Sequence, residues 1–378
     1  MPSREENLPA ARPRLEALTT LRFFAALHVV IFHLQVQGIL TGGPWWYRNL
    51  AGIGYVGVDF FFVLSGFILV YTYGGPALEP RRFWQARFAR IYPAYLVSLL
   101  AAGPFFYYAI KAQDVPFFAW SQQHLAGACI LTLTLLQSWN PQAALTWNPV
   151  CWSLSVEAFF YSVFPLLARW TRTISRRRLV AWIGACSAIS FSISLFYVVI
   201  HPDGLAKVNS GETTLFWRNV LSFNPLIRLP EFAAGMLTAR LFLASKADRR
   251  FASALFFGGL AGLAAVVLCA ARIPSSLLSP GLFMPMYAAM IYGLALRPRW
   301  AKLLEARGLV LLGEASYSLY LLHSIVLSSV FDAASFLPFW PRVACAVLAA
   351  FAASILSYKL VESPARRLLH PKRRDWTR

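Results

Sequence analysis

Several segments carry ionisable side chains inside sequence that is otherwise apolar enough to lie in lipid. The segment TTLRFFAALHVVIFHLQ holds Arg22, His28 and His33. Arg22 and His33 are eleven residues apart. That is almost three helical turns, so both lie on one face, about 16 Å apart along the axis. Arg22 then sits near one end of the helix and His33 deep, past its middle. An ionisable residue at that depth is costly, which makes function the default hypothesis. His33 is read as a candidate general base because it shares a face with a buried arginine. His28 points elsewhere and is read as a helix-packing hydrogen bond. In GYVGVDFFFVLSGFILV, Asp59 needs a partner, or a proton, to be tolerated. A histidine or arginine across the helix interface would serve. Two readings of Asp59 stay open: a carboxylate holding His33 in one tautomer, and a structural polar contact.

The segment RRFWQARFARIYPAYL places Arg87 and Arg90 three residues apart, a two-pronged fork on a helix. Guanidinium pairs suit phosphate through bidentate, charge-assisted hydrogen bonds, and Arg81 and Arg82 could extend the patch. The other reading is positive charge that merely orients the chain at a membrane surface. In NPVCWSLSVEAFFYSVFPLL, Trp152, Ser153 and Glu157 cluster near one end of a helix. A carboxylate accepts hydroxyl hydrogen bonds and an indole stacks on a pyranose face, so this trio is a candidate sugar-binding group. Weaker points are Glu231 beside Arg228, Glu314 with Tyr317, His323 and Glu362. No Gly-x-Ser-x-Gly elbow occurs, and Ser65 lacks that context. The five cysteines are odd in number and widely spaced, which fits small buried hydrophobes and predicts no metal site.

These residues must be positioned by membrane helices. Of 378 residues, 58% are hydrophobic and 13% charged. Soluble domains run near ~25% charged, and a soluble fold of this length could not hide so much apolar surface. The fold class is therefore an all-α polytopic membrane protein. About ten stretches reach spanning length, at roughly 20 residues per helix: 16–36, 54–73, 91–110, 152–168, 181–200, 223–243, 251–271, 281–296, 309–330 and 340–361. Leu125 to Trp139 is shorter and is expected to be re-entrant or interfacial. The loops alternate in charge. One set holds 25 Lys and Arg and the other six, with four inside spans. Positive loops stay in the cytoplasm, so both termini are expected there, in a multi-pass protein of the inner (plasma) membrane. The net charge of +19 is read as this topological signal together with contact to anionic lipid, and not as nucleic-acid binding. The first apolar run is too long for a signal peptide's core and is read as a retained span. The expected organisation is a tail at 1–15, one membrane domain at 16–361 and a basic tail at 362–378.

Taken in order, TTLRFFAALHVVIFH, GYVGVDFFFVLSGFIL, RFARIYP, WSLSVEAFF, SYSLYLLH and VESPARR resemble the acyltransferase-3 family of membrane acyltransferases over nearly the whole chain. The Arg, ten residues, His arrangement and the Arg-x-x-Arg pair are that family's best-known marks. The resemblance implies a ten-helix enzyme moving an acyl group, often acetyl, from cytoplasmic acyl-CoA to an acceptor. That acceptor is commonly a sugar hydroxyl on a polysaccharide, a glycolipid or a secondary metabolite. It implies catalytic or donor roles for Arg22 and His33, and coenzyme binding by Arg87 and Arg90. Some relatives carry an extracytoplasmic SGNH domain. This chain ends at Arg378 without one, so transfer is expected to finish inside the membrane domain. A covalent acyl-enzyme is left open by the residues. Two other functions stay in view. A transporter or flippase of a lipid-linked sugar would also bury charge, although no repeat is seen. An N-acyltransferase on an amino sugar would share the donor side.

Overall fold

A computed structural model describes residues 12–76, 78–112, 115–207, 214–244 and 249–369 of the chain, without the side chain of Phe117. Most of both expected tails, and part of the 201–222 loop, lie outside that set. Among the described residues, ten principal helices follow the apolar runs. They are α1 (Glu16–Val36), α2 (Gly57–Tyr73), α3 (Pro80–Ala112), α4 (Trp152–Arg172), α5 (Arg176–Ile200), α6 (Pro225–Ala244), α7 (Ala252–Cys269), α8 (Met284–Ala295), α9 (Arg307–Ala333) and α10 (Phe339–Ser357). Helix α10 runs on through a π-turn, Tyr358–Glu362, into Ser363–Leu369. No strand occurs among the described residues. The protein is an all-α polytopic membrane protein, because a helix satisfies its backbone polar groups internally in lipid.

Eight of the described helices are long and apolar enough to cross a membrane. The other two principal helices depart from a plain span for different reasons. Helix α6 has 20 residues but carries Arg228, Glu231 and Arg240. Helix α8 has 12 residues, about 18 Å, where the apolar run 281–296 suggests a full crossing. The segment Leu125–Trp139 holds a nine-residue helix, Leu125–Leu133, and a short turn, Gln137–Trp139. Nine residues rise about 14 Å and cannot cross the roughly 30 Å hydrocarbon layer.

Helix α2 is the hub. Its apolar window is 78% buried, against 22% for α5 and α7, so α2 is packed on all sides while α5 and α7 present their faces outward. The outward set on α5 includes Trp182, Ile189, Phe196 and Val199, as expected of a lipid-facing surface. Helix α2 packs closely against α6, and α9 packs against both α1 and α10. The α2–α6 crossing depends on Gly66 and Gly235. A Cβ on Gly66 would lie 2.0 Å from the Phe232 carbonyl oxygen, and one on Gly235 would lie 1.8 Å from that of Val63. Small residues of this kind let backbones meet where no hydrophobic effect drives association. Ring stacking seals the adjoining core, with Phe160 on Phe232 at 4.6 Å and Phe83 on Phe164 at 4.7 Å.

Helix α3 is 33 residues long, about 50 Å, which exceeds a single crossing. Its first turns therefore project beyond the apolar stretch while remaining one helix with it. Arg87 and Arg90 sit there, so the fork stands on a rigid element and not on a loop. Pro93 and Pro104 lie inside the same helix.

Candidate functional site

A cavity of about 190 Å³ lies between α1, α2, α3, α4 and α9. Helix α1 contributes Leu18, Thr19 and Arg22, and α3 contributes Arg87, Arg90 and Ile91. Helix α4 adds Ser153, Leu154, Glu157 and Tyr161, and α9 adds Ser316, Tyr317 and Tyr320. The floor is apolar, from Phe61, Phe62, Leu64 and Ile68 of α2, with Ser65 among them. Three guanidiniums thus face one carboxylate in a partly enclosed, low-dielectric space, where charge interactions are strong.

The three arginines are held differently. Arg87 donates to the Tyr73 hydroxyl at 2.9 Å and lies over the Tyr73 ring at 5.1 Å. The Tyr161 ring stands 5.9 Å away. Neither Arg22 nor Arg90 makes a hydrogen bond or close ion pair with a described residue. Both feel Glu157 and Glu362 at longer range, and Arg22 feels Arg90 as a like charge. Glu157 accepts from the Tyr161 hydroxyl at 3.3 Å. Glu362 is buried, 3.8 Å from Arg366 and 3.4 Å from the Ser318 hydroxyl. The surplus of positive charge suits an anionic ligand, and the rings of Tyr161, Tyr317 and Tyr320 supply apolar walls beside it.

The other expected site residues divide. Ser153 lines the cavity and donates to the Tyr320 hydroxyl at 2.8 Å. Trp152 does not line it. Its ring packs 5.9 Å from Phe62 and 4.9 Å from Phe223, beneath the Arg228 guanidinium at 5.5 Å. The trio read as one sugar-binding group is therefore split, with Ser153 and Glu157 in the arginine cavity and Trp152 in packing.

Asp59 pairs with Arg228 and not with His33, which corrects the tautomer-holding reading. Arg228 Nη1 lies 3.0 Å from Asp59 Oδ1 and 3.3 Å from Glu231 Oε1. Ser279 donates to Asp59 Oδ1 at 2.9 Å. All four residues are buried. The physical reason is charge: a buried carboxylate gains more from an obligate cation than from a neutral ring.

His33 lies outside the cavity lining. Helix α9 nevertheless connects the two, giving Tyr317 and Tyr320 to the cavity and His323 to His33. His33 Nδ1 is 2.9 Å from the Val29 carbonyl oxygen and 3.1 Å from His323 Nε2. The rings of Tyr320 and His323 are 6.1 Å apart. His28 Nε2 meets the Leu50 carbonyl at 2.8 Å on another side of α1, a packing bond to the helix Trp45–Gly52.

Two contributions are weakly signalled in sequence. Tyr161 follows Glu157 by four residues, a same-face spacing that could have marked it. His323 has a helix-packing histidine's appearance, and nothing local ties it to a residue 290 positions away. Among the described residues, no group of three or more His, Cys, Asp or Glu is placed to hold a metal ion.

Comparison with known proteins agrees with this architecture. Residues 15–359 match the acyltransferase-domain family. The chain is 29% identical to the acyltransferase MdmB of Streptomyces mycarofaciens over 97% of its own length and 95% of that protein. It is 27% identical to the exopolysaccharide production protein ExoZ of Rhizobium meliloti, over 83% of this chain and 90% of that one. It is 25% identical to the O-acetyltransferase OatA of Staphylococcus aureus, over 93% of this chain and 57% of OatA's length. No solved structure matches. A match over nine-tenths of the chain places this multi-pass membrane protein in the acyltransferase-3 family of acyltransferases.

Proposed function

We propose that the protein is an O-acyltransferase of the plasma membrane. It takes an acyl group, acetyl by preference, from cytoplasmic acyl-CoA and passes it to a sugar hydroxyl of a surface polysaccharide or related glycoconjugate. The observation that carries the donor assignment is the convergence of Arg22, Arg87 and Arg90 on one cavity, two of them without a close partner among the described residues. A coenzyme's phosphates supply the missing anions, bidentate at guanidinium forks. With both termini cytoplasmic, as the loop charges favour, the fork stands at the face where coenzyme A is found. The polysaccharide-related name of ExoZ supports a saccharide acceptor, and the O-acetyltransferase name of OatA supports transfer of acetyl to oxygen.

In the proposed chemistry, His33 takes the proton of the acceptor hydroxyl as the oxygen attacks the thioester carbonyl. A carbon–oxygen bond forms, the carbon–sulfur bond breaks, and the coenzyme thiolate leaves and is reprotonated. Arg22, with the other two arginines, holds the anionic donor and stabilises negative charge near it. Ser153 and Glu157 face the same space and orient the acyl-donor end or the acceptor.

Donor binding tests the assignment. Arg87→Lys and Arg90→Lys keep the charge but lose the planar two-pronged contact. Each is expected to weaken acetyl-CoA binding by about ten-fold, the loss of one charge-assisted hydrogen bond. Dephospho-coenzyme A is expected to bind wild type less well if the fork meets the 3′-phosphate. Equal affinity of wild type and both lysine variants, measured by calorimetry in detergent, would reduce the fork to an orienting charge.

A further inference from the structure

The His323 side chain is fully buried on α9. Its Nδ1 stands 2.8 Å from the Tyr320 carbonyl oxygen and 3.1 Å from that of Leu319. Carbonyl oxygens only accept, so Nδ1 of His323 carries the hydrogen. A neutral His323 then has a bare Nε2, and that lone pair faces Nδ1 of His33 at 3.1 Å. Nδ1 of His33 also faces the Val29 carbonyl oxygen at 2.9 Å. With acceptors on both sides, Nδ1 is the protonated nitrogen of His33. Its Nε2 keeps a lone pair and makes no hydrogen bond to a described residue.

We infer that His323 is a positioning residue that accepts the Nδ1–H of His33 and so presents His33 Nε2 as the basic nitrogen. This deepens, and rests on, the reading of His33 as general base. A carboxylate usually fills this role, but Asp59 is committed to Arg228, 3.0 Å away. A neutral imidazole does the same work with no second charge to desolvate inside the membrane. When His33 Nε2 takes a proton, its Nδ1–H keeps the same acceptor, so the ring need not turn during the reaction. The relay is built from backbone: two carbonyls of α9 fix His323, and His323 fixes His33.

The test uses the full-length protein in nanodiscs, labelled with ¹⁵N-histidine, as wild type, His323→Gln and His323→Leu. Glutamine can place an acceptor oxygen near the lost Nε2, and leucine cannot. Wild type is expected to show His33 protonated at Nδ1, with nitrogen–nitrogen coupling across the hydrogen bond to His323 Nε2. His323→Leu is expected to lower kcat roughly 10-fold to 100-fold or more with the donor KM unchanged, and His323→Gln to retain most of kcat. His33 protonated at Nε2 in wild type would overturn the inference by itself, with no variant needed. Equal losses of kcat in the two variants, or none in His323→Leu, would also overturn it. The spectrum reports on the pair whether or not His33 is the base. Normal turnover by His33→Asn would instead sink the base assignment.

Discussion

Individual residues show how burial sorts charge. The cluster of Asp59, Glu231 and Arg228 holds two carboxylates on one guanidinium, all buried. Removing Arg228 strands both acids, and breaking a buried pair costs about 3–5 kcal/mol. Asp59→Asn leaves the Arg228–Glu231 pair in place. Arg228→Gln is therefore expected to lower the melting temperature in detergent far more than Asp59→Asn. Asp59→Asn is also expected to keep most of its turnover. If it lost turnover as heavily as a His33 variant, Asp59 would belong to the chemistry after all. Part of this scale was legible: Arg22 and Glu157 stand out as charges in apolar sequence, Arg87 and Arg90 as a basic pair at helical spacing, and all four line the cavity. Partner identity was not legible. Asp59 and Arg228 are 169 residues apart, and nothing local distinguishes Arg228 from His33 as the cation that meets Asp59.

At the scale of elements, length and apolarity predicted the helices well, because in lipid the backbone has few alternatives. The failures are informative. The run 281–296 is apolar enough for a span but yields a 12-residue helix, since the irregular segment before it is buried against other helices and not by lipid. The spacing of Arg87 and Arg90 gave the fork, while the length of α3, which makes the fork rigid, runs past any apolar window. Close helix contact is the other element-level determinant. Gly66→Leu would drive a side chain into the backbone of α6, where the Phe232 carbonyl oxygen is 2.0 Å from an added Cβ. Gly103, on α3, has nothing within 4 Å of the same position. Gly66→Leu is expected to abolish monodisperse folded protein in size-exclusion chromatography, and Gly103→Leu to behave as wild type. Similar behaviour of the two would mean that the α2–α6 crossing tolerates separation.

At the scale of the whole molecule the loop charges are asymmetric, and the proposed donor-facing side rests on that bias. The bias of 25 to six in loop Lys and Arg predicts cytoplasmic termini and an external 201–222 loop. In a background lacking the five native cysteines, Leu205→Cys is expected to react with an impermeant thiol reagent in intact cells. Labelling at residues 246–250 in place of 205 would invert the orientation. In the proposed reading, with the fork inside and His33 toward the other face, the acyl group would cross part of the membrane within the protein and change hands at His33. The most direct measurement is release of the coenzyme thiol from labelled acetyl-CoA by purified wild type and His33→Asn with a saccharide acceptor, with donor binding measured on the same samples. The account predicts full donor binding by both, and thiol release and label transfer slowed by about 10²–10⁴-fold in His33→Asn. Near-normal turnover by His33→Asn, with label appearing on the acceptor, would contradict it.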